Sequence, residues 1–160
     1  MSTTNETIAA PAVANAPVVF IESPYSGNID CNVRYLSLVM FDSGVLHGEM
    51  PVASHAYMTQ HPRAKNYFVS DYADKWDVFT RDQAIARAQA LRHMCSKTIF
   101  YVDRGWSMGM KAAKEYCQTH NLPFEERTLN VKTLAQKIPF CSVELSQAII
   151  NGENYHQFLQ

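Results

Sequence analysis

This 160-residue sequence has no apolar run long enough to span a membrane, no basic run or stripe, and no cysteine pair in C-x-x-C spacing. A membrane-crossing helix needs about 20 apolar residues, so the first absence argues against a membrane partner. The formal net charge of -1, without a basic stripe, argues against nucleic acid as the main partner. Four widely spaced cysteines are typical of reduced core residues in a cytoplasmic protein, and they argue against a zinc site.

The first 17 residues lack the two features of a secretory signal, a positively charged start and a continuous apolar segment. This stretch is rich in Ala, Thr, Asn and Pro, which predicts a disordered leader outside the fold. We expect residues 18–160 to form a single domain. The chain is 47% hydrophobic and 18% charged, as in an ordinary globular protein with one core.

Apolar runs at residues 18–21 and 98–102 are typical of strands that are buried on both faces, as in a parallel sheet. Shorter strand patterns and helical patterns alternate with them, the strands at 50–53 and 123–128 and the helices at 31–46, 80–95, 108–120 and 142–150. This alternation predicts an α/β fold: a three-layer α/β/α, doubly wound, mostly parallel sheet of four to five strands, Rossmann-like or flavodoxin-like. The two long apolar runs should be adjacent central strands. The polar stretch 59–75 predicts a functional loop or lid.

Polar segments follow three of the predicted strands, at residues 23–28, 54–57 and 103–109. The carboxyl ends of parallel strands meet at one edge of a sheet, so we expect these segments to converge. The helix that begins in the third segment favours an anion such as phosphate at its N-terminus. Asp103 is also the candidate catalytic residue, and it either holds a sugar hydroxyl or simply orders the turn. No metal site and no cofactor are predicted. The predicted ligand-binding residues are Ser23, Tyr25, Ser26, Gly27, Asn28, His55, Asp103, Trp106, Ser107, Met108 and Gly109.

Most of these residues also have a purely structural interpretation. Ser107 is either a helix N-cap or a phosphate ligand, and Gly109 allows either close packing or close approach of a ligand. Tyr25 either stacks on a base or is a partly buried loop residue. His55 is either a hydrogen-bonded structural residue or a catalyst, and Trp106 is either a lid over a base or an interface residue.

The combination of these motifs resembles nucleoside 2-deoxyribosyltransferase-like proteins, in particular a subgroup of small phage and bacterial domains. The resemblance covers residues 18–129. It is carried by Ser23-Pro24-Tyr25-Ser26-Gly27 after an apolar strand, Asn32 on the next helix, Pro51-Val52-Ala53-Ser54-His55, the helix with Arg81, Asp103-Arg104-Gly105-Trp106-Ser107-Met108-Gly109-Met110, and Pro123-Phe124-Glu125-Glu126-Arg127.

Active members of that superfamily cleave or exchange the N-glycosidic bond of deoxynucleosides or their monophosphates, and a glutamate attacks the anomeric carbon. In the register set by Ser107 and Gly109, the resemblance places this glutamate at Ala113, which cannot act as a nucleophile. The resemblance therefore implies binding of a nucleotide-like molecule without cleavage, for instance by a phage-type sponge that sequesters a nucleotide signal, in a homo-oligomer of two or more copies. The alternative is an N-glycosidase or deoxyribosyltransferase with a relocated carboxylate, such as Asp103, Asp74 or Asp77.

Overall fold

The computed structural model describes residues 15–57 and 81–159, and their centre is a four-stranded, all-parallel sheet. The strands are β1 (Val18–Glu22), β2 (Met50–Val52), β3 (Lys97–Tyr101) and β4 (Phe124–Arg127), in the order β2-β1-β3-β4. In the β1/β3 register, Ile21 lies opposite Ile99. The predicted α/β class is thus confirmed, and so is the adjacency of the two central strands.

Helices cover both faces of the sheet. One face carries α1 (Ile29–Phe41), the π-helical segment Asp42–Leu46, α5 (Val131–Lys137) and α6 (Val143–Asn151), which enclose Val19 and Ile21 in the larger core cluster. The other face carries α3 (Arg81–His93) and α4 (Met108–Thr119); α4 packs on Phe100, and Arg92 of α3 lies over the ring of Phe20. Because both faces are covered, the middle residues of the central strands are apolar on both faces, without the alternation of a half-exposed sheet. None of the helices in the described ranges is long and apolar enough to cross a membrane.

Three local predictions need correction. Residues 54–57 form a short helix, α2 (Ser54–Tyr57), instead of a loop, and the helix predicted at 31–46 is α-helical only to Phe41. The helix continues in π-helical form over Asp42–Leu46. In this segment Asp42 accepts a hydrogen bond from Tyr101 and Ser43 donates one to Glu49, and both partners lie outside the helix. The C-terminal region contains α5 and a 3-10 turn (His156–Phe158) in addition to the predicted helix. Helix α5 was not predicted because it has only seven residues and one buried residue, Leu134, which is too little for a periodic apolar pattern in the sequence.

Two other predictions concern parts of the chain outside the described residues. These are the lid at 59–75 and most of the leader at 1–17. Pro17, at the end of the predicted leader, already accepts a hydrogen bond from the backbone N–H of Met50, at 2.9 Å.

A cluster of charged side chains links β3, β4 and the chain before β2. Both Nη atoms of Arg127 donate to the carboxylate of Glu49, at 2.9 and 3.2 Å. Lys97 lies 3.1 Å from the same carboxylate, which also accepts from Ser43 Oγ at 2.8 Å. Burial by itself raises the pKa of Glu49, but the hydrogen bonds from Arg127, Ser43 and Lys97 outweigh it and lower that pKa to about 2.

This depressed pKa predicts a specific loss of stability in acid. The folded-state pKa of about 2 lies below the ordinary value of 4.5, so Glu49 stabilises the fold above pH 4.5, and this contribution disappears as the pH falls towards 2. We expect Glu49→Gln to be less stable than the wild type at neutral pH, with a gap that shrinks over that range. Urea unfolding at several pH values measures the gap. Glu144→Gln, on the exposed surface of α6, is the control and should show no such trend.

Candidate functional site

A cavity of about 610 Å³ lies at the carboxyl edge of the sheet, bordered by α3 and α4. From β1 the chain continues to β2 on one side, whereas from β3 it continues to β4 on the other. The gap between β1 and β3 is therefore the topological switch point, the position at which open α/β sheets bind ligands. The cavity lies where the three predicted segments were expected to meet.

Seven of the predicted ligand-binding residues line this cavity, and they come from all three segments. Ser23 and His55 are hydrogen-bonded, with 3.1 Å between Oγ and Nε2, and the rings of Tyr25 and His55 are 6.2 Å apart. The Oη atom of Tyr25 is buried and has no hydrogen-bond partner among the residues that the structure describes. The seven are Ser23, Tyr25, Ser26, His55, Ser107, Met108 and Gly109.

Asp103 does not line the cavity, because its carboxylate is used in a structural contact. It accepts hydrogen bonds from the hydroxyl of Tyr35 at 2.6 Å and from the backbone N–H of Leu129 at 3.0 Å. Tyr35 belongs to the core cluster on the α1 face, whereas the cavity borders α3 and α4. Of the two interpretations of Asp103, the structure supports the one in which it orders the turn.

Gly27, Asn28 and Trp106 also lie outside the lining of the cavity. Asn28 is the N-cap of α1 and accepts from the backbone N–H of Cys31 at 3.2 Å. Gly27 precedes it in a left-handed conformation, with φ +91°, that favours glycine. Trp106 packs on Phe100 with ring centroids 5.3 Å apart. All three have structural roles around the site.

Ser107 serves as the N-cap of α4. Its Oγ accepts from the backbone N–H of Met110 at 3.2 Å, and its carbonyl accepts from Lys111. An α-helix has no internal partners for its first N–H groups, and here Met108 and Gly109 are the exposed first residues of the helix at the cavity. The capping role of Ser107 and an anion site at the same helix end are thus compatible.

His55 is held in its neutral form. Burial lowers the pKa of its imidazole to about 4, because the charged form loses its hydration. A neutral imidazole offers one donor and one acceptor to its surroundings. His55 therefore contributes a dipole and an aromatic surface to the site, and no positive charge.

Glu22 is one of the cavity residues that were not among the predicted ligand-binding residues. It ends β1, lines the cavity and forms an ion pair with Arg92 of α3. Burial raises the pKa of the Glu22 carboxyl, and the charge and hydrogen bond of Arg92 oppose this rise. The sequence marks each residue by itself, as a carboxylate at the end of an otherwise apolar strand and an arginine in an alanine-rich helix, but it does not indicate that the two are in contact.

The walls of the cavity are formed mainly by small apolar side chains on the two helices. Ala84 and Ala88 contribute from α3, and Ala112 and Ala113 from α4. Ala113 is 5% exposed and packs with the core cluster under α4. The site thus combines a few polar side chains with mainly apolar walls, which is the usual composition of a small-molecule site.

Asn32 holds the first loop in position. Its Nδ2 donates to the carbonyls of Tyr25 and Ser26, both at 2.9 Å, and its Oδ1 accepts from Arg104 Nε at 2.8 Å. Arg104 also donates to the carbonyl oxygen of Ile150, in the last turn of α6. The buried amide of Asn32 thereby links the loop after β1 to the loop after β3, and Arg104 links both to the end of α6. Sequence reasoning included Asn32 only through the family resemblance.

The residues that the structure describes include no group of three or more His, Cys, Asp or Glu side chains arranged to hold a metal ion. The polar groups that line the cavity include Glu22, Arg92, Ser23, His55 and the N-terminus of α4.

Comparison with known proteins gives one finding. Neither the curated proteins nor the solved structures include a significant match to this chain. A family model matches residues 17–127, a range that contains the four strands of the described sheet and the residues that line the cavity. Since this range exceeds half of the chain, the protein belongs to the family described as Domain of unknown function (DUF7768).

Proposed function

We propose that the protein binds a nucleotide-like small molecule at the carboxyl edge of its sheet, as the resemblance to nucleoside 2-deoxyribosyltransferase-like proteins implies. The observation that carries the proposal is the cavity at the switch point, which is lined by polar residues from all three predicted segments. Its volume of about 610 Å³ lies within the usual range for small-molecule sites, roughly 300–1,000 Å³. One role for such a protein is a phage-type sponge that sequesters a nucleotide signal.

Each part of a nucleotide has a chemically suitable position in this cavity. The α4 N-terminus, with Ser107 and Gly109, suits the phosphate, because unpaired N–H groups and the helix dipole favour an anion. The apolar alanine walls suit the flat faces of a base. The unpaired Oη of Tyr25 gains a hydrogen-bond partner if a ligand hydroxyl reaches it, which removes the cost of a buried unsatisfied group.

Binding without cleavage is favoured over catalysis because Ala113 lines the cavity at the position where the resemblance places the nucleophilic glutamate. An enzyme that acts through a covalent nucleophile loses several orders of magnitude in rate without it. The predicted cytoplasmic location and homo-oligomeric state belong to the same proposal, and native mass spectrometry measures the latter.

The alternative function is an N-glycosidase or deoxyribosyltransferase, and one observation bears on it. Such chemistry needs a carboxylate in the cavity, and among the described residues Glu22 is the carboxylate that lines it. Asp103 is bound to Tyr35 and Leu129, while Asp74 and Asp77 lie outside the described residues. If the protein is an enzyme, Glu22 is therefore the first residue to mutate.

One experiment separates the two functions. The protein is incubated with a pool of deoxynucleoside monophosphates; released base is followed by chromatography, and retained compounds by mass spectrometry. An intact retained nucleotide supports the binder. Turnover near 1 s⁻¹ or faster, an ordinary enzyme rate, contradicts it and supports the glycosidase.

We expect Ser107→Ala to weaken nucleotide binding about tenfold or more. The substitution removes a hydroxyl and the cap that orients the first N–H groups of α4, and hydrogen bonds to charged groups contribute about 1.5–3 kcal/mol each. Isothermal titration calorimetry measures the effect. The matched control is Ser142→Ala, since Ser142 caps α6 in the same way, accepting from the backbone N–H of Leu145 at 3.1 Å, but does not line the cavity. Equal affinities for the two variants would show that α4 is not the anion site.

A further inference from the structure

Glu22 and Arg92 form the charged floor of the cavity, and all three guanidinium nitrogens of Arg92 donate hydrogen bonds to residues of the protein. Its guanidinium donates to Gln89 Oε1 and Thr98 Oγ1, at 2.8 and 2.9 Å, as well as to Glu22. Arg92 is also 3% exposed and lies over the ring of Phe20, at 4.3 Å. It is therefore not a ligand for an incoming phosphate, and its role is to hold Glu22 in place.

Only one oxygen of the Glu22 carboxylate has a hydrogen-bond partner among the described residues. Oε1 contacts Arg92, whereas Oε2 has no hydrogen-bond partner within residues 15–57 and 81–159. The side chain is 15% exposed, and the residue lines the cavity between the helices. Burial raises the pKa of the Glu22 carboxyl, while the charge and hydrogen bond of Arg92 oppose that rise and favour the ionised form. At a mildly alkaline pH that keeps this carboxyl ionised, Oε2 accepts hydrogen bonds and donates none, so the floor of the cavity presents a fixed acceptor to whatever enters.

We propose that Glu22 selects the base of the ligand by accepting a hydrogen bond from an exocyclic amino group. This inference rests on the proposed function, since it assumes that the alanine-walled part of the cavity holds the base of a nucleotide. Bases that carry an amino group, such as adenine and cytosine, are then preferred to hypoxanthine and uracil, which present an oxo group at the corresponding position. An oxo oxygen facing a carboxylate oxygen brings two acceptors together and leaves both without a donor.

The substitution Glu22→Gln tests this proposal by replacing one carboxylate oxygen with an amide nitrogen, and the contact with Arg92 fixes which of the two oxygens is replaced. In Glu22→Gln, the amide oxygen must remain on Arg92, because a guanidinium only donates hydrogen bonds. The amide nitrogen then takes the position of Oε2 and turns the fixed acceptor into a fixed donor. The preference for amino-bearing bases should therefore reverse in favour of the oxo bases, and a residue with a merely structural role has no such effect.

The experiment uses two matched ligand pairs, deoxyadenosine against deoxyinosine monophosphate and deoxycytidine against deoxyuridine monophosphate. Affinities are measured by calorimetry at mildly alkaline pH with the full chain. We expect the wild type to prefer the amino member of at least one pair by about tenfold or more, because a site built around a polar group discriminates strongly against the wrong partner. Glu22→Gln should lose or reverse that preference. Glu126→Gln, at an exposed position of the edge strand β4, is the control and should keep the preference of the wild type.

The outcomes separate this inference from the function on which it rests. If all four nucleotides bind the wild type with equal affinity, the base selection by Glu22 is wrong while nucleotide binding stands. A preference that Glu22→Gln leaves unchanged also overturns it. If none of the four binds, both proposals fail for these ligands. The comparison within the wild type does not depend on how well the variant folds.

Discussion

Gly109→Val should abolish ligand binding and leave the protein folded. Gly109 is the second residue of α4 and is exposed at the cavity. A Cβ atom built at this position approaches no closer than 3.8 Å to the protein, at Ser107 Oγ, and the backbone there is not in a left-handed conformation. The valine methyl groups therefore meet the ligand before they meet the protein. They cover the N–H groups that the proposed phosphate needs. Calorimetry with deoxynucleoside monophosphates measures the loss.

Gly109→Ala is the graded control for this experiment. It adds the Cβ atom alone, so it should weaken binding less than valine does, while circular dichroism and thermal unfolding stay close to those of the wild type. Unchanged affinity in the valine variant would mean that the ligand does not approach the start of α4. The anion site would then have to be sought elsewhere in the cavity.

The second large effect concerns the fold: Arg127→Met should lower the free energy of unfolding by about 3–5 kcal/mol, the usual cost of breaking a buried ion pair by removing one partner. Arg127 is 12% exposed and binds Glu49 through two nitrogens and Tyr101 through one. Methionine fills part of the space but leaves the Glu49 carboxylate, 5% exposed, without its main counter-charge. Such a loss is a large share of the roughly 5–15 kcal/mol that stabilises a typical domain. Urea unfolding followed by circular dichroism measures it.

Arg34→Met provides the matched comparison. Arg34 is exposed and, within the described part of the chain, makes one hydrogen bond, from Nε to Tyr155 Oη at 3.1 Å. That hydroxyl keeps its bond to Asp30 when the arginine is removed. We expect this variant to change the stability by about 0.5 kcal/mol or less, as for most surface substitutions. A loss of similar size in both variants would mean that the Glu49–Arg127 contact is worth no more than a surface contact.

The central architecture was predictable because its signals are local. The apolar runs at 18–21 and 98–102 indicate strands buried on both faces, and the structure contains both as neighbouring central strands. The convergence of Ser23, His55 and Ser107 follows from a general property of parallel sheets, and all three line the cavity.

The roles of individual side chains were less predictable, because they depend on which face of an element a residue occupies. Glu22 is the last residue of β1 and Asp103 lies two residues after β3, but Asp103 is bound to Tyr35 of α1 while Glu22 reaches the cavity. The distinction is set by side-chain direction, which alternates from residue to residue along a strand. An error of one position in a strand boundary thus exchanges a site residue for a structural one.

By itself the sequence determined the α/β class, the two central strands and the edge of the sheet where the cavity lies, since apolar periodicity and turn residues depend on neighbours along the chain. The tertiary structure decided which carboxylate enters the cavity, which arginine pairs with it, and that the helix after β1 continues in π-helical form. Glu22 and Arg92 are 70 residues apart, and their contact exists because α3 lies across β1. A contact between distant segments depends on how the elements pack, and no pattern of adjacent residues contains that information.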